Sequence, residues 1–348
     1  MFNVLALVVV ILVVSGWATA VVDVHREGGP VEAEGEPLVS RTISSAVLSP
    51  SPTSLAFLNE AALRLADPLK GYSGSLTSAI VAPGEPLDMD VPDPAIGPRF
   101  TGEKGQVVEG SDFVAPPTPG VWRLAVELDR VQRAIEGFSL ITLVPFSEKR
   151  EGKIGLYYLG SWPYEDGGKH RSPAYANPKG FIRVTEENQN TRVSEHFQLR
   201  DFLTKDQPNV WPKYLLLSPK LLDKLELTIQ ELERGGVEVE HVKIMSGFRT
   251  PRYNHSGGNT VGRANLSRHM FGDAADIFID NDRDGWSDDV TGDGKLTLAD
   301  AQRIADAADA VERKYPSLVG GIGLYPACCG HGPMVHIDVR GYRARWTY

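Results

Sequence analysis

Hydrophobic patterning changes character several times along the 348 residues. Val4 to Val22 is an uncharged run, VLALVVVILVVSGWATAVV. Coiled as a helix it is ~28 Å long, close to the hydrocarbon thickness of a bilayer. From Asp23 to about Pro52 periodicity disappears into Gly, Pro, Glu and Ser, the composition of a linker. SLAFLNEAALRLADPLKG then predicts one short helix, stopped by Pro68 and Gly71. From about Ser75 to Trp162 short apolar runs alternate with Pro/Gly turns: PLDMDVP, PGVWRLAVEL, SLITLVPF and IGLYYLGSWP. In the second of these Val121, Arg123, Ala125 and Glu127 oppose Trp122, Leu124, Val126 and Leu128, the period of a strand.

A helical period follows the turn-rich YEDGGKHRSPAYANPKG. In SPKLLDKLELTIQELERGG, Ser218 is placed as N-cap and Pro219 at the first helical position. Leu221, Leu222, Leu225, Ile229 and Leu232 make one apolar stripe, and Gly235 ends the helix. VEVEHVKIM reads as a strand leading into SGFRTPRYN, and helix, strand and loop succeed one another through Tyr325. The fold class expected is α+β. Four regions result: a signal peptide or membrane anchor over 1–22, a linker with a short helix over 23–74, a β-rich domain over 75–185, and an α+β domain over 186–348. The β-rich region predicts a small β-sandwich, and PGVWRLAVEL resembles the late strand of immunoglobulin-like modules.

Composition narrows the function classes. A hydrophobic content of 42% supports buried cores. The net charge of −9 leaves no basic stripe to neutralise phosphates, which excludes a nucleic-acid partner. Cys328 and Cys329 are the only cysteines and are adjacent, so a disulfide framework is excluded. The apolar terminus, with ATA offering a cleavage point after Ala20, predicts export to the periplasm or cell envelope, with residues 4–22 as the membrane tether if uncleaved.

Chemistry concentrates in the last third. His269 and Asp276 lie seven residues apart in SRHMFGDAAD, either two helical turns or a loop entering a strand. In MVHIDVR, Val335, Ile337 and Val339 point one way, so His336, Asp338 and Arg340 share the opposite face. Two imidazoles and a carboxylate form a reasonable set for a catalytic zinc ion, leaving a fourth position open to water.

SRHMFGDAAD fits the S-x-H-x-x-G-x-A-x-D pattern of the zinc D-alanyl-D-alanine peptidases that share a fold with the Hedgehog signalling domain, with Ser267, His269, Gly272, Ala274 and Asp276 matching. SGFRTPRYN resembles the arginine-bearing segment that precedes it in that family. GGIGLYP…MVHIDVRG is similar to the closing strand, and VSEHFQLRDFL to the domain's start; the likeness covers roughly Val193 to Tyr348. It implies a Hedgehog/D,D-peptidase-like domain with zinc on His269, Asp276 and His336. It further implies that Arg249, with Ser267, binds a peptidoglycan peptide substrate, since a planar guanidinium fork suits a carboxylate or a polarised carbonyl. Relatives place an acid or histidine two or three residues before the last zinc histidine, where this chain has Met334 and Pro333. Asp338 and His331 are the remaining candidates for the general base, and Asp338 alternatively orients an imidazole. The activity implied is a metallopeptidase, carboxypeptidase or endopeptidase, acting on D-amino-acid-containing stem peptides. The alternative is an inactive, metal-stabilised envelope-binding or adhesion module.

Residues 280–300 add a second metal chemistry. Asp289, Thr291, Asp293, Gly294, Lys295, Thr297 and Asp300 occupy positions 1, 3, 5, 6, 7, 9 and 12 of an EF-hand-like loop that resembles the dockerin form. Upstream, Asp280, Asp282, Asp284, Gly285 and Asp288 repeat the D-x-D-x-D-G-x-x-D pattern of thrombospondin-type repeats. Oxygen ligands at alternate positions with glycine at the sharp turn predict calcium, which would rigidify the neighbouring zinc site. Thr297 and Asp300 also read as a capping pair that starts the helix LADAQRIADAADAVERKY.

Overall fold

A computed structural model describes residues 78–348 apart from 88–95, 111, 129–130, 135–137, 259, 261–262 and 329. The apolar segment at 1–22 and the linker with its short helix at 23–74 lie outside the described residues. No helix among the described residues is long and apolar enough to cross a membrane.

The β-rich stretch supplies six short strands: β1 (Ser78–Val81), β2 (Ile96–Gly102), β3 (Val107–Glu109), β4 (Gly120–Leu128), β5 (Val131–Ala134) and β6 (Ser139–Thr142). They form one sheet in the order β1-β6-β4-β2-β3, with β5 on β4 and β1 parallel to β6. This single sheet stands where a sandwich was expected. The expected alternation puts Trp122 and Leu124 in the interior and leaves Arg123 exposed. The Trp122 indole donates to Thr142 Oγ1 at 2.9 Å, so the one polar atom of a buried ring is satisfied.

Next come β7 (Val144–Pro145), the hairpin β8 (Lys153–Ile154) and β9 (Tyr157–Tyr158), β10 (Gly180–Val184) and β11 (Lys213–Leu215). IGLYYLGSWP thus turns back on itself at Gly155, where φ is +58°, and does not run as one strand. β10 sits between β11 and β7, so residues on both sides of 185 share a sheet. They also share one core, in which Val121, Ile141 and Val144 join Phe197, Leu221 and Ile337. The Ser78 hydroxyl donates to the Val193 carbonyl at 2.7 Å across the same boundary.

The remaining elements are α1 (Pro219–Arg234), β12 (Val242–Ser246), α2 (Pro251–Ser256), β13 (Ala274–Ile279), α3 (Leu298–Lys314), β14 (Gly321–Tyr325), β15 (Met334–Asp338) and β16 (Ala344–Thr347). The five strands order as β12-β13-β15-β14-β16, antiparallel except for β14 and β16. The architecture is mixed α+β. α1 starts at Ser218 and Pro219 as the pattern requires, and its five apolar stripe residues are buried. Gly235 ends the helix as its C-cap, followed by left-handed Gly236 (φ +82°). One expectation shifts: only Val242–Ser246 of VEVEHVKIM is strand. α1 is also buried beyond its stripe, because α3 packs against it on one side and the segment around His196 on another. Its inward polar residues therefore find charged partners: Lys224, 0% exposed, donates to Glu312 of α3 at 2.6 Å and to the Asp338 carbonyl at 2.7 Å. Burying that ammonium is tolerable only because it is paired and hydrogen-bonded.

Candidate metal centre

β13 and β15 pair so that Asp276 lies directly opposite His336, while Gly323 of β14 flanks His336 on its other side. His269 arrives from a 3-10 turn, Arg268–Phe271, which ends in left-handed Gly272 (φ +69°). That turn is the loop entering a strand, which decides between the two readings of the seven-residue spacing. A Cβ at Gly272 would collide with the Leu216 main chain, so glycine alone lets the turn close against β11's exit. The Trp162 indole pins the same turn by donating to the Met270 carbonyl at 2.9 Å.

Three atoms converge. His269 Nε2 lies 3.2 Å from His336 Nδ1 and 3.2 Å from Asp276 Oδ1, and His336 Nδ1 lies 2.8 Å from that same oxygen. Each imidazole has its other nitrogen committed: His269 Nδ1 donates to the Gly247 carbonyl at 2.7 Å, and His336 Nε2 donates to Asp338 Oδ2 at 3.0 Å. With both rings neutral, the two remaining lone pairs point at one spot, where they and Asp276 could hold a metal ion. Tetrahedral zinc with bonds of about 2.0–2.1 Å spaces its ligand atoms about 3.3 Å apart, close to the separations present. His269, Asp276 and His336 therefore fit a zinc ion.

Protonation agrees with that use at His269 and Asp276, whereas His336 would have to give up a proton to bind a metal. Burial pushes His269 down to about 4, with the Arg249 charge adding to the shift, so its ring is neutral near pH 7. Burial pulls His336 down as well, but hydrogen bonds to Asp276 and Asp338 outweigh it and raise its pKa. Burial opposes ionisation of Asp276 too, yet His269, His336 and Arg249 hold that carboxyl well below its ordinary value.

Arg249 stands beside the centre. Its NH2 donates to Asp276 Oδ2 at 2.6 Å and its Nε to Ser246 Oγ at 2.8 Å, and NH1 has no hydrogen-bond partner among the described residues. Ser267 and His331 also line the cleft that opens here, a cavity of about 1100 Å³. Asp338 does not. It is 0% exposed behind His336, and its oxygens accept from Gly321 N (2.8 Å), Arg340 Nε (2.9 Å) and His336. Those partners hold its carboxyl far below the usual range against the cost of burial. A carboxylate so enclosed orients His336 and takes no proton from the cleft, leaving His331 as the base candidate that lines it. His331 Nδ1 donates to the Gly332 carbonyl at 2.7 Å, and its Nε2 lies 3.8 Å from Cys328 Sγ.

Several cleft residues had no signal in the motifs. Arg171 and Tyr175 come from the turn-rich stretch YEDGGKHRSPAYANPKG, and Tyr325, Trp346 and Tyr348 from the last strands. Trp346 tilts over His336 with ring centroids 5.2 Å apart, and a side chain at Gly323 would occupy its place. The alternation of Ala344, Trp346 and Tyr348 was the available signal for this wall.

The acidic loops differ from each other. Asp280, Asp282 and Asp284 each bring one oxygen to a common point, all within 4.8 Å of one another, around left-handed Gly285 (φ +91°). Asp280 Oδ1 accepts from Gly285 N (3.2 Å) and Asp288 Oδ2 from Asn281 N (2.7 Å). In the second loop Asp289 accepts from Gly294 N at 2.6 Å, and Thr291 Oγ1 bridges Asp289 (3.1 Å) and Asp300 (3.0 Å). Asp293 turns away to Lys295 N (2.9 Å), so among the described residues Asp289, Asp293 and Asp300 form no such triad. Asp300 and Thr297 do form the capping box of α3.

Neither a family model, a curated protein nor a solved structure matches the chain.

Proposed function

We propose that the chain is a zinc peptidase of the Hedgehog/D,D-peptidase fold that hydrolyses D-amino-acid-containing peptidoglycan peptides in the cell envelope. The observation that carries this reading is the convergence of two imidazole lone pairs and one carboxylate oxygen beside Arg249, at the edge of a large cleft. Zinc held there would polarise an amide carbonyl and acidify water. The amide C–N bond breaks, the acyl carbon takes oxygen from water, and the leaving nitrogen takes a proton. Arg249 NH1 offers donors to a substrate oxygen, His331 moves the proton at Nε2, and Asp338 keeps His336 turned toward the metal.

Calcium belongs to the same proposal. Asp280, Asp282 and Asp284 would hold it first, with the Asp289–Asp300 loop as the weaker site. The loops run between β13 and α3, which supports a stabilising role for the ion.

Digestion of purified muropeptides, with products read by mass, tests the function. Released D-alanine or cleaved cross-links is the expected outcome. His331→Ala should lower turnover ~10²–10⁴-fold with zinc content unchanged. One observation favours the inactive, metal-stabilised binding module as a second reading: Asp276 is the only acidic side chain among the described residues lining the cleft. Intact muropeptides after prolonged incubation with the zinc-loaded protein would select it.

A further inference from the structure

Away from the cleft, a turn between Val193 and Phe197 brings a second group of metal-binding side chains against α1. The Val193 amide closes the turn by donating to the Phe197 carbonyl at 3.0 Å, and both residues are buried in the core. From that fixed base the tip of the turn presents Glu195 and His196 to Glu226 of α1. One ligand atom from each of these three lies within 4.8 Å of the other two, and none of them lines the cleft.

Glu226 is 1% exposed and already oriented for a ligand. Its Oε1 accepts from the His196 amide at 2.9 Å, which fixes the carboxylate, and its Oε2 faces the ring at 2.6 Å from Nδ1. His196 Nε2 has no hydrogen-bond partner among the described residues. The charges around the ring do not balance. Burial lowers the His196 pKa, while the carboxylates of Glu226, Glu195 and Glu233 all act on it in the opposite direction. Among the described residues none of these three carboxylates pairs with a lysine or arginine. A protonated imidazole supplies one positive charge against three negative ones, and the Glu226 charge is buried. A divalent ion would supply two.

We infer that Glu195, His196 and Glu226 form a second zinc site, which fastens the turn to α1 and takes no part in the chemistry of the cleft. The donor set argues for the class of ion. One imidazole nitrogen with two carboxylate oxygens suits a borderline ion such as zinc, whereas calcium takes about six to eight oxygens and soft ions take sulfur. Tetrahedral zinc spaces its ligand atoms about 3.3 Å apart, so the 2.6 Å contact between His196 and Glu226 opens by about 0.7 Å as the ion replaces the proton between them. The His196 side chain is partly exposed and Glu195 is exposed, so both have room for that adjustment. Water completes the coordination on the open side.

Zinc content of the full chain tests the site, with calcium in excess to occupy the acidic loops and free zinc fixed by a metal buffer. The wild type should hold two zinc ions per chain, and the His269→Ala, His336→Ala double variant should keep one. Glu195→Gln and His196→Gln should each weaken the second zinc at least ~10-fold while the first stays bound, since loss of an outer partner alone costs that much. Glu195 is exposed, so its variant retains the fold, and an unchanged denaturant midpoint of the metal-free chain checks this. A double variant that holds no zinc, or a second zinc kept at wild-type affinity in either single variant, overturns the inference. The His269 centre is read separately in the same experiment, so neither result bears on the peptidase reading.

Discussion

Asp338 illustrates how one side chain changes role once its neighbours are known. Its charge and its place on the His336 face made it a reasonable base, but two Arg340 donors, the Gly321 amide and the His336 ring occupy its oxygens in the interior. Outer carboxylates of this kind fix the tautomer and raise ligand basicity. Asp338→Asn should therefore weaken zinc binding about 10–100-fold, measured by chelator competition at constant pH. Proton release supplies a second readout. In the metal-free protein the Asp276 and Asp338 hydrogen bonds raise the His336 pKa, so zinc must displace a proton that is increasingly present as pH falls. Protons released per zinc, from calorimetry in buffers of different ionisation enthalpy, should fall in the Asn variant at the same pH. Unchanged affinity and unchanged proton release together would make Asp338 a bystander.

At the scale of elements, the most legible parts were those whose period or cap is local. The α1 stripe, its Ser-Pro start, the β4 alternation and the Val335/His336/Ile337 facing all reappear in the structure. So does the gathering of His269, Asp276 and His336, because a short motif fixes a loop-to-strand entry and β13 pairs with β15. What was not legible depends on which elements meet. Nothing in SPKLLDKLELTIQELERGG says that Lys224 will face Glu312, nor that Arg171 will reach the same cleft as Trp346. Gly272 marks the boundary between the two, since it appears in the motif but only packing explains it. Gly272→Ala adds left-handed strain and a clash with Leu216, a loss of about 2–4 kcal/mol to be read from urea midpoints. The contact between α1 and the segment before it yields a pH dependence. Burial lowers the His196 pKa, but its 2.6 Å hydrogen bond and attraction to Glu226 outweigh burial and raise it. A raised folded pKa means that this stability is present below the ordinary value of about 6.5 and is lost as pH rises through the folded one. Denaturant midpoints of the wild type should decline over that window, and Glu226→Gln should flatten the decline while lowering stability at pH 6.

At the scale of the whole molecule, the acidic loops join the strand that carries Asp276 to the helix that supports β15. β13 ends at Ile279, the two loops follow without a break, and α3 begins at Leu298 with Thr297 as its N-cap and Asp300 completing the capping box. Glu312 on that helix holds Lys224 and the Gly320 amide, and Lys224 holds the Asp338 carbonyl. Seven aspartates between 280 and 300 oppose this connection by mutual repulsion. That repulsion already shows at Asp288, where burial first and then Asp282, Asp280 and Asp284 raise the carboxyl pKa. A hard cation on the Asp280, Asp282 and Asp284 oxygens would offset it. Binding to the folded state alone adds RT ln(1 + [L]/Kd), or ~2.7 kcal/mol at a hundredfold excess over Kd. Melting should therefore rise with millimolar calcium and fall with a calcium-selective chelator while zinc is kept saturating. Asp282→Ala should remove most of the response. Asp293→Ala should remove less, because its side chain turns to Lys295 N and stands apart from the carboxylates of its own loop. Melting that ignores calcium in the wild type would leave the loops as solvated acid, and equal losses in the two variants would place the cation in both loops.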